Sequence, residues 1–193
     1  MERFSRWAPT YDRHRLQRLV FEPVQKTVLE LAEREVPAPR KILDVGCGTG
    51  RLLQAAAERF PGASLEGVDA AEGMVEQARG TNISQRTNFQ VGTAENLPFP
   101  DSQFDLVFCT MTFHHWANQA RGAAEIARVL APAGRWILAD PIVAGPLRHL
   151  RRLFHLKFAE RKELEGVLAT RSLEIIDETR VHRRISILVI APA

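Results

Sequence analysis

The hydrophobic pattern of this chain changes period repeatedly, and each change marks an element. Residues 16–35 place Leu19, Val20, Val24, Val28, Leu31 and Ala32 at helical spacing, with Pro23 at a kink or a helix start and Pro37 and Pro39 ending the segment. Residues 41–45 form a short apolar run of strand type. A glycine-rich turn follows, and a helical pattern over 51–60 stops at Pro61-Gly62. Next come a strand over 64–68 ending in Asp69, a helix over 71–79 closing near Gly80, a strand over 88–91 and a polar loop over 92–101. Residues 104–110 are almost continuously apolar, as expected for a strand buried on both faces of a parallel sheet. A helix over 117–130, the breaker Ala131-Pro132-Ala133-Gly134 and a strand over 135–139 ending at Asp140-Pro141 complete the alternation. Strands and helices at this spacing predict an α/β fold with a mostly parallel sheet. Right-handed crossovers then bring a ligand to the carboxyl ends of the strands.

The last third departs from that alternation. A helix is expected over 163–170, and two strand-like runs, 173–181 and 184–190, leave no room for a helix between them. They must pair antiparallel as a hairpin, unlike the ending of a standard dinucleotide-binding fold. Between sheet and hairpin, residues 148–162 are basic and aromatic, with Arg148, His149, Arg151, Arg152, Phe154, His155, Lys157, Phe158, Arg161 and Lys162. This stretch reads as a lid helix over an acceptor pocket, a patch for an anionic or lipid-linked substrate, or a solvated helix face. At the other end Phe4, Trp7 and Tyr11 can share one helical face, either to anchor the N-terminus on the core or to close over a ligand.

Composition adds bounds. A chain of 193 residues with no repeat or linker is expected to be one domain, 1–193, with an N-terminal lid or helical segment over 1–35 and a substrate-side segment over 145–170. The net charge of +3 is small and scattered, which argues against nucleic acid as a partner despite a pI of about 9.2. Cys47 and Cys109 are far apart with no zinc-ligand spacing, so they read as reduced thiols and no metal site is expected. No leader-like segment and no apolar run near the ~20 residues of a membrane span is present, and a cytoplasmic location follows as the expectation. Nothing in the pattern sets the oligomeric state.

The chemistry centres on the glycine turn. It reads Asp44-Val45-Gly46-Cys47-Gly48-Thr49-Gly50, between a strand and a helix. Glycines admit positive φ and leave no Cβ against a ligand, and the helix that follows offers unpaired N–H groups. Asp69 ends the next strand nineteen residues past Gly50, where a carboxylate can accept both hydroxyls of a ribose. Nicotinamide-dinucleotide folds favour Gly-x-Gly-x-x-Gly. Here the third glycine comes one residue early and an acid precedes the first. That suits a cofactor with an amino group and a sulfonium better than a pyrophosphate.

With these residues in view, the chain resembles a class I S-adenosylmethionine-dependent methyltransferase. More narrowly, it resembles the type-11 branch that includes ubiquinone/menaquinone-biosynthesis methyltransferases. The resemblance runs from Phe4 to about Asp140. It rests on residues 4–12, the glycine motif, Gly67-Val68-Asp69-Ala70-Ala71-Glu72-Gly73-Met74, residues 92–105 and Arg128-Val129-Leu130-Ala131-Pro132-Ala133-Gly134. It implies a Rossmann-like sheet of seven strands in the order 3-2-1-4-5-7-6 with strand 7 antiparallel. It implies S-adenosylmethionine as methyl donor, S-adenosylhomocysteine as product and a small molecule as acceptor.

It also implies roles. Gly46, Gly48 and Gly50, with Cys47 among them, would let the methionine part of the donor lie against the turn, and Asp44 would hold the turn and contact the amino group. Asp69 would bind the ribose hydroxyls, Ala70 and Met74 would pack on the adenine, and the backbone of Ala94 would read its edge. Cys109 would line the methionine end, and Tyr11 would close over it. The family often has Asp where this chain has Thr93, which can accept a hydrogen bond only without charge assistance; Glu95 is the substitute at hand. The pair His114-His115 follows the fourth strand on the donor side, where the family often carries a His pair near the substrate. Imidazole can take a proton from an acidic carbon, hydroxyl or thiol, so both are candidate catalytic residues; the alternative is a pair that shapes the loop.

Other residues read as structural. Asp101 and Asp105 suit a turn and a strand edge, Met111 and Phe113 suit packing, His149, His155 and His182 suit the surface, and Asp140-Pro141 reads as a turn in preference to a base. The sequence Cys109-Thr110-Met111-Thr112, in place of an Asn-Pro-Pro-Tyr-like motif, counts against amide N-methylation. Rival functions are a non-catalytic cofactor-binding or regulatory domain on the same fold, an RNA methyltransferase and an NAD-dependent oxidoreductase.

Overall fold

A computed structural model describes residues 17–82, 84–143, 159–181 and 185–193. Among them the strands β1 (Lys41–Val45), β2 (Ser64–Asp69), β3 (Thr87–Val91), β4 (Phe104–Thr110), β5 (Leu130–Asp140), β6 (Leu173–Val181) and β7 (Ile185–Pro192) form one sheet. Its order is 3-2-1-4-5-7-6. β1 to β5 run parallel, while β7 runs antiparallel to both β5 and β6. The expected sheet is therefore observed, C-terminal hairpin included. Ile142–Val143 and Ala159–Glu160 make a separate two-residue parallel pair.

A short π-helical turn, Gln17–Phe21, leads into α1 (Glu22–Glu35), where Pro23 sits in the first turn and costs no intrahelical bond. α2 (Arg51–Arg59), α3 (Glu72–Thr81), α4 (Gln119–Val129) and α5 (Arg161–Ala169) follow. α4 starts two residues later than its apolar pattern suggests, because the Asn118 side chain accepts the Arg121 N–H at 3.0 Å and caps the helix.

Strand alternation divides the core in two. On one face Ile42, Leu65, Leu106, Phe108, Ile137, Ile187 and Val189 pack against α1, α2 and α3. On the other, Leu43, Val107, Cys109, Trp136, Leu138, Leu188 and Ile190 pack against α4 and α5. β5 begins five residues earlier than expected: Leu130 pairs with Phe104, and the register then shifts before Leu106 meets Arg135. The Ala-Pro-Ala-Gly breaker is thus a bulge inside a strand, with Gly134 against the Phe104 carbonyl, where a Cβ would come within 2.9 Å. Asp105 ties the sheet edge as expected, accepting the backbone N–H groups of Arg40 and Lys41 at 2.7 and 3.0 Å. Asp101 pairs with Arg128 at 2.9 Å. No described helix is long and apolar enough to cross a membrane.

Candidate active site

The glycine turn folds onto the end of β2. The Gly46 and Cys47 N–H groups both donate to the Val68 carbonyl, at 2.7 and 3.1 Å. The Gly48 N–H donates to Asp69 Oδ2 at 2.9 Å, and the Ala71 N–H donates to Asp69 Oδ1 at 2.8 Å. Gly46, Gly48 and Gly50 have φ of 79°, 54° and 80°. They do different work. A Cβ at Gly46 would lie 2.1 Å from Thr112 Oγ1, and one at Gly50 would lie 2.6 Å from the Phe89 ring. A Cβ at Gly48 would meet nothing within 4 Å. Gly48 therefore faces open space, Gly46 lets the segment after β4 come close, and Gly50 serves packing and the entry to α2.

Two cavities flank the turn. The larger, about 210 Å³, is lined by Val45, Gly46, Gly48, Val68, Asp69, Ala70, Ala71, Met74, Gly92, Thr93, Ala94, Glu95, Thr110, Met111, Thr112, His115, Trp116 and Ala117. The smaller, about 50 Å³, is lined by Phe21, Gln25, Asp44, Gly46, Cys47, Gly48, Thr49, Arg51, Leu52 and Thr110. Gly46, Gly48 and Thr110 belong to both, so the two spaces meet at the turn. Thr110 Oγ1 is buried at this waist with no hydrogen-bond partner among the described residues. Such an orphan is uncommon among buried polar groups, and its hydroxyl is available to a ligand at the turn.

Of the candidate residues named from sequence, Asp44, Gly46, Cys47, Gly48, Asp69, Ala70, Met74, Thr93, Ala94, Glu95 and His115 line one cavity or both. Four others are placed differently, and of these His114 lines neither cavity. Gly50 lines neither cavity, because Phe89 fills the space beside it. Cys109 is fully buried in the α4-side core and lines neither cavity, while its neighbour Thr110 lines both. Tyr11 lies outside the described residues, as do Phe4, Trp7, residues 144–158 and His182. Glu95 lines the larger cavity, and its Oε1 also accepts the Asn118 N–H at 3.0 Å, so part of its capacity serves the start of α4.

Asp140 is not a turn residue. It closes β5, is 0% exposed, and faces His114, whose Nδ1 lies 3.0 and 3.1 Å from its two carboxyl oxygens. The Asp-Pro pair misled because it is a local turn signal, whereas the partner lies on the neighbouring strand's extension. The residues Phe113–His115 form a single 3-10 turn after β4. The His115 ring stacks on His114 with centroids 3.9 Å apart and reaches the larger cavity. Met111 packs on the α1–α3 side of the core as expected and also lines the cavity, with φ of 57°; a non-glycine residue there is strained, as functional loops often are. Phe113 packs as expected, its ring 4.8 Å from that of Trp116. The lining residues Thr110, Thr112, Trp116, Phe21 and Gln25 carried no local motif; only their position after a strand or before the turn could have flagged them.

Electrostatics follow from burial. Asp44 is 3% exposed, and burial, with Asp69 nearby, pushes its carboxyl up to about 8. Burial also raises Asp69, against the pull of the Ala71 and Gly48 N–H groups. The thiols of Cys47 and Cys109 are pushed up by burial, which keeps them protonated. No group of His, Cys, Asp and Glu able to hold a metal occurs among the described residues.

Comparison with known proteins places this architecture. The family model described as a methyltransferase domain matches residues 43–138. A malonyl-[acyl-carrier protein] O-methyltransferase from Geobacter sulfurreducens is 34% identical over 197 residues, covering 92% of this chain and 72% of that protein. A demethylmenaquinone methyltransferase from Deinococcus radiodurans is 35% identical over 159 residues, covering 79% of this chain and 65% of that protein. The chain spans about two thirds of the length of these two relatives and about half of that of several others. A crystal structure of a Pyrococcus horikoshii protein shares the fold with a TM-score of 0.78 at 23% identity, over 100% of both chains.

Proposed function

We propose that this chain, which belongs to the methyltransferase-domain family, moves the methyl group of S-adenosylmethionine to a small-molecule acceptor. The observation that carries this reading is the pair of cavities meeting at the glycine turn, with an acidic residue in each. The residues present fit such a donor. Asp69 keeps acceptor capacity for ribose hydroxyls, since each carboxylate oxygen has a second lone pair beyond the backbone N–H it already binds. Ala70, Met74, Thr93 and Ala94 offer small and apolar surface for an adenine in the larger cavity. Asp44, in the smaller one, suits an ammonium group, which would also relieve the penalty on its buried charge.

The donor, when bound, supplies a methyl group activated on a sulfonium. The protein then has to hold an acceptor in line, exclude water and, for some acceptors, remove a proton. Positioning can supply most of the acceleration. The acceptor is expected beside Thr112, His115 and Trp116, which line the larger cavity. A small-molecule acceptor and a cytoplasmic location accord with the absence of a membrane-crossing helix among the described residues. Mass spectrometry of ligand carried through purification, with calorimetric titration of S-adenosylmethionine and S-adenosylhomocysteine, tests the reading. Binding is expected in the native chain and at least ~10-fold weaker in Asp69→Ala, the loss of two charge-assisted hydrogen bonds. No binding of either nucleoside by the native chain would refute it.

A further inference from the structure

The smaller cavity carries an acid and a base that have different partners. Asp44, on β1, and Arg51, the first residue of α2, both line it. Burial and the neighbouring Asp69 raise the Asp44 carboxyl. The Arg51 guanidinium reaches across to α1 instead, its Nη2 donating to Glu22 Oε1 at 3.0 Å. Phe21 and Gln25 line the same cavity, so the first turn of α1 borders this space and Glu22 stands at its rim. The side chains of the Arg51–Glu22 pair are 32% and 46% exposed. An ion pair so open to water holds weakly. Glu22 is also the first residue of α1, where the partial positive charge of the helix start favours a carboxylate even without Arg51. The guanidinium keeps further N–H donors in a planar fork that matches a carboxylate.

We propose that Arg51 holds the α-carboxylate of the methyl donor, and that Glu22 is the internal anion Arg51 releases in order to do so. This deepens the methyl-transfer reading above and rests on it. One acid and one base on one small cavity suit the two charges of an amino-acid end: the ammonium group goes to Asp44 and the carboxylate to Arg51. Only hydrogen bonds change hands. Glu22 returns to water at the start of α1, and the contact it made between α1 and α2 opens. Glu22 is therefore a competitor that lowers donor affinity. The exchange also sets ligand choice. An adenosyl ligand with an amine but no carboxylate gains nothing from Arg51 and leaves the Arg51–Glu22 pair in place.

Calorimetric titration of the full chain tests this with two ligands, S-adenosylhomocysteine and S-adenosyl-3-thiopropylamine, which keeps the amine and lacks the carboxylate. The native chain should prefer S-adenosylhomocysteine by at least ~10-fold. Arg51→Met should bring the two Kd values within about threefold of each other, by loss of S-adenosylhomocysteine affinity alone. Arg51→Lys keeps the charge without the fork, and its preference should fall between the two. Glu22→Gln should tighten S-adenosylhomocysteine by about threefold, leave the amine ligand little changed, and have no effect once Arg51 is Met. A preference that survives Arg51→Met, or equal losses for both ligands, overturns the proposal. So does weaker or unchanged S-adenosylhomocysteine binding in Glu22→Gln. Should Arg51→Met fail to fold by circular dichroism, Arg51→Lys and Glu22→Gln decide the question. Failure of the methyl-transfer reading looks different, because the native chain would then bind neither ligand.

Discussion

Replacing Asp44 by Asn should make the ligand-free protein more stable, and increasingly so as pH rises. Asp44 is 3% exposed and its carboxyl is pushed up to about 8, chiefly by burial. In the unfolded chain it titrates near 3.9. Between those values the native state holds a proton that the unfolded state has lost. Stability therefore falls as pH rises through this window, by at most about 1.4 kcal/mol per pH unit, and levels off above the folded value. Near neutrality the accumulated penalty is on the order of 2–4 kcal/mol once relaxation around the charge is allowed for. Asn keeps the shape and never ionises. Urea unfolding of both proteins from about pH 5 to about pH 8 should show the native chain losing stability relative to Asp44→Asn across that range. The same variant should bind S-adenosylmethionine more weakly, because an ammonium group beside Asp44 would favour its ionised carboxylate, which Asn cannot form. Parallel stability curves for the two proteins would show that Asp44 is not a strained buried acid, and the assignment of an ammonium group to the smaller cavity would lose its physical basis.

Gly48→Ala and Gly50→Ala should separate ligand contact from packing. At Gly50 the added Cβ meets the Phe89 ring at 2.6 Å and φ is 80°, so unfolding free energy should drop by about 2–4 kcal/mol with little change in donor affinity. At Gly48 the Cβ enters open space at φ of 54°, so stability should fall by only about 1–2 kcal/mol while calorimetry shows at least ~10-fold weaker donor binding. The reverse ranking of affinities would mean that the ligand does not cross Gly48. Gly122→Ala places a Cβ 2.4 Å from the Trp116 ring, which lines the larger cavity. Moving that ring should cost about 1–3 kcal/mol and shrink the thermal shift given by S-adenosylhomocysteine; an unchanged shift would place Trp116 away from the bound donor.

The parts of the fold legible in sequence are those governed by short-range pattern. β1 and β4 fall where an apolar run is bounded by breakers, because a strand buried on both faces has to be apolar throughout. The hairpin was legible because two runs with almost nothing between them admit no crossover helix. Local signals failed where a distant partner decided the outcome. The breaker at 131–134 proved to be a bulge because Leu130 finds Phe104 across the sheet. Cys109 lies in the α4-side core while its neighbour Thr110 lines both cavities, because successive strand residues point to opposite faces. Asp140 was the largest miss. Asp-Pro signals a turn, and nothing within reach of that dipeptide announces a histidine twenty-six residues earlier.

This division has a physical origin. The half of the proposed site assigned to the donor is made by backbone: three glycine conformations, two amides on one carbonyl and two more on Asp69. Backbone geometry imposes residue types at fixed spacing, so it leaves a motif legible in a single sequence. The acceptor half is made by side chains at the ends of different strands, where no spacing is imposed and family likeness carries little information. Within that half, stability offers no reason for Asp140. A carboxylate at 0% exposure is desolvated, and well-packed apolar residues in place of a buried ion pair are often neutral or stabilising. Leaving the carboxylate without His114 would be worse, on the order of 3–5 kcal/mol. Asp140 and His114 meet at 3.0 Å where β4 and β5 end, so this buried carboxylate is held by the loop that follows β4 and not by the apolar core.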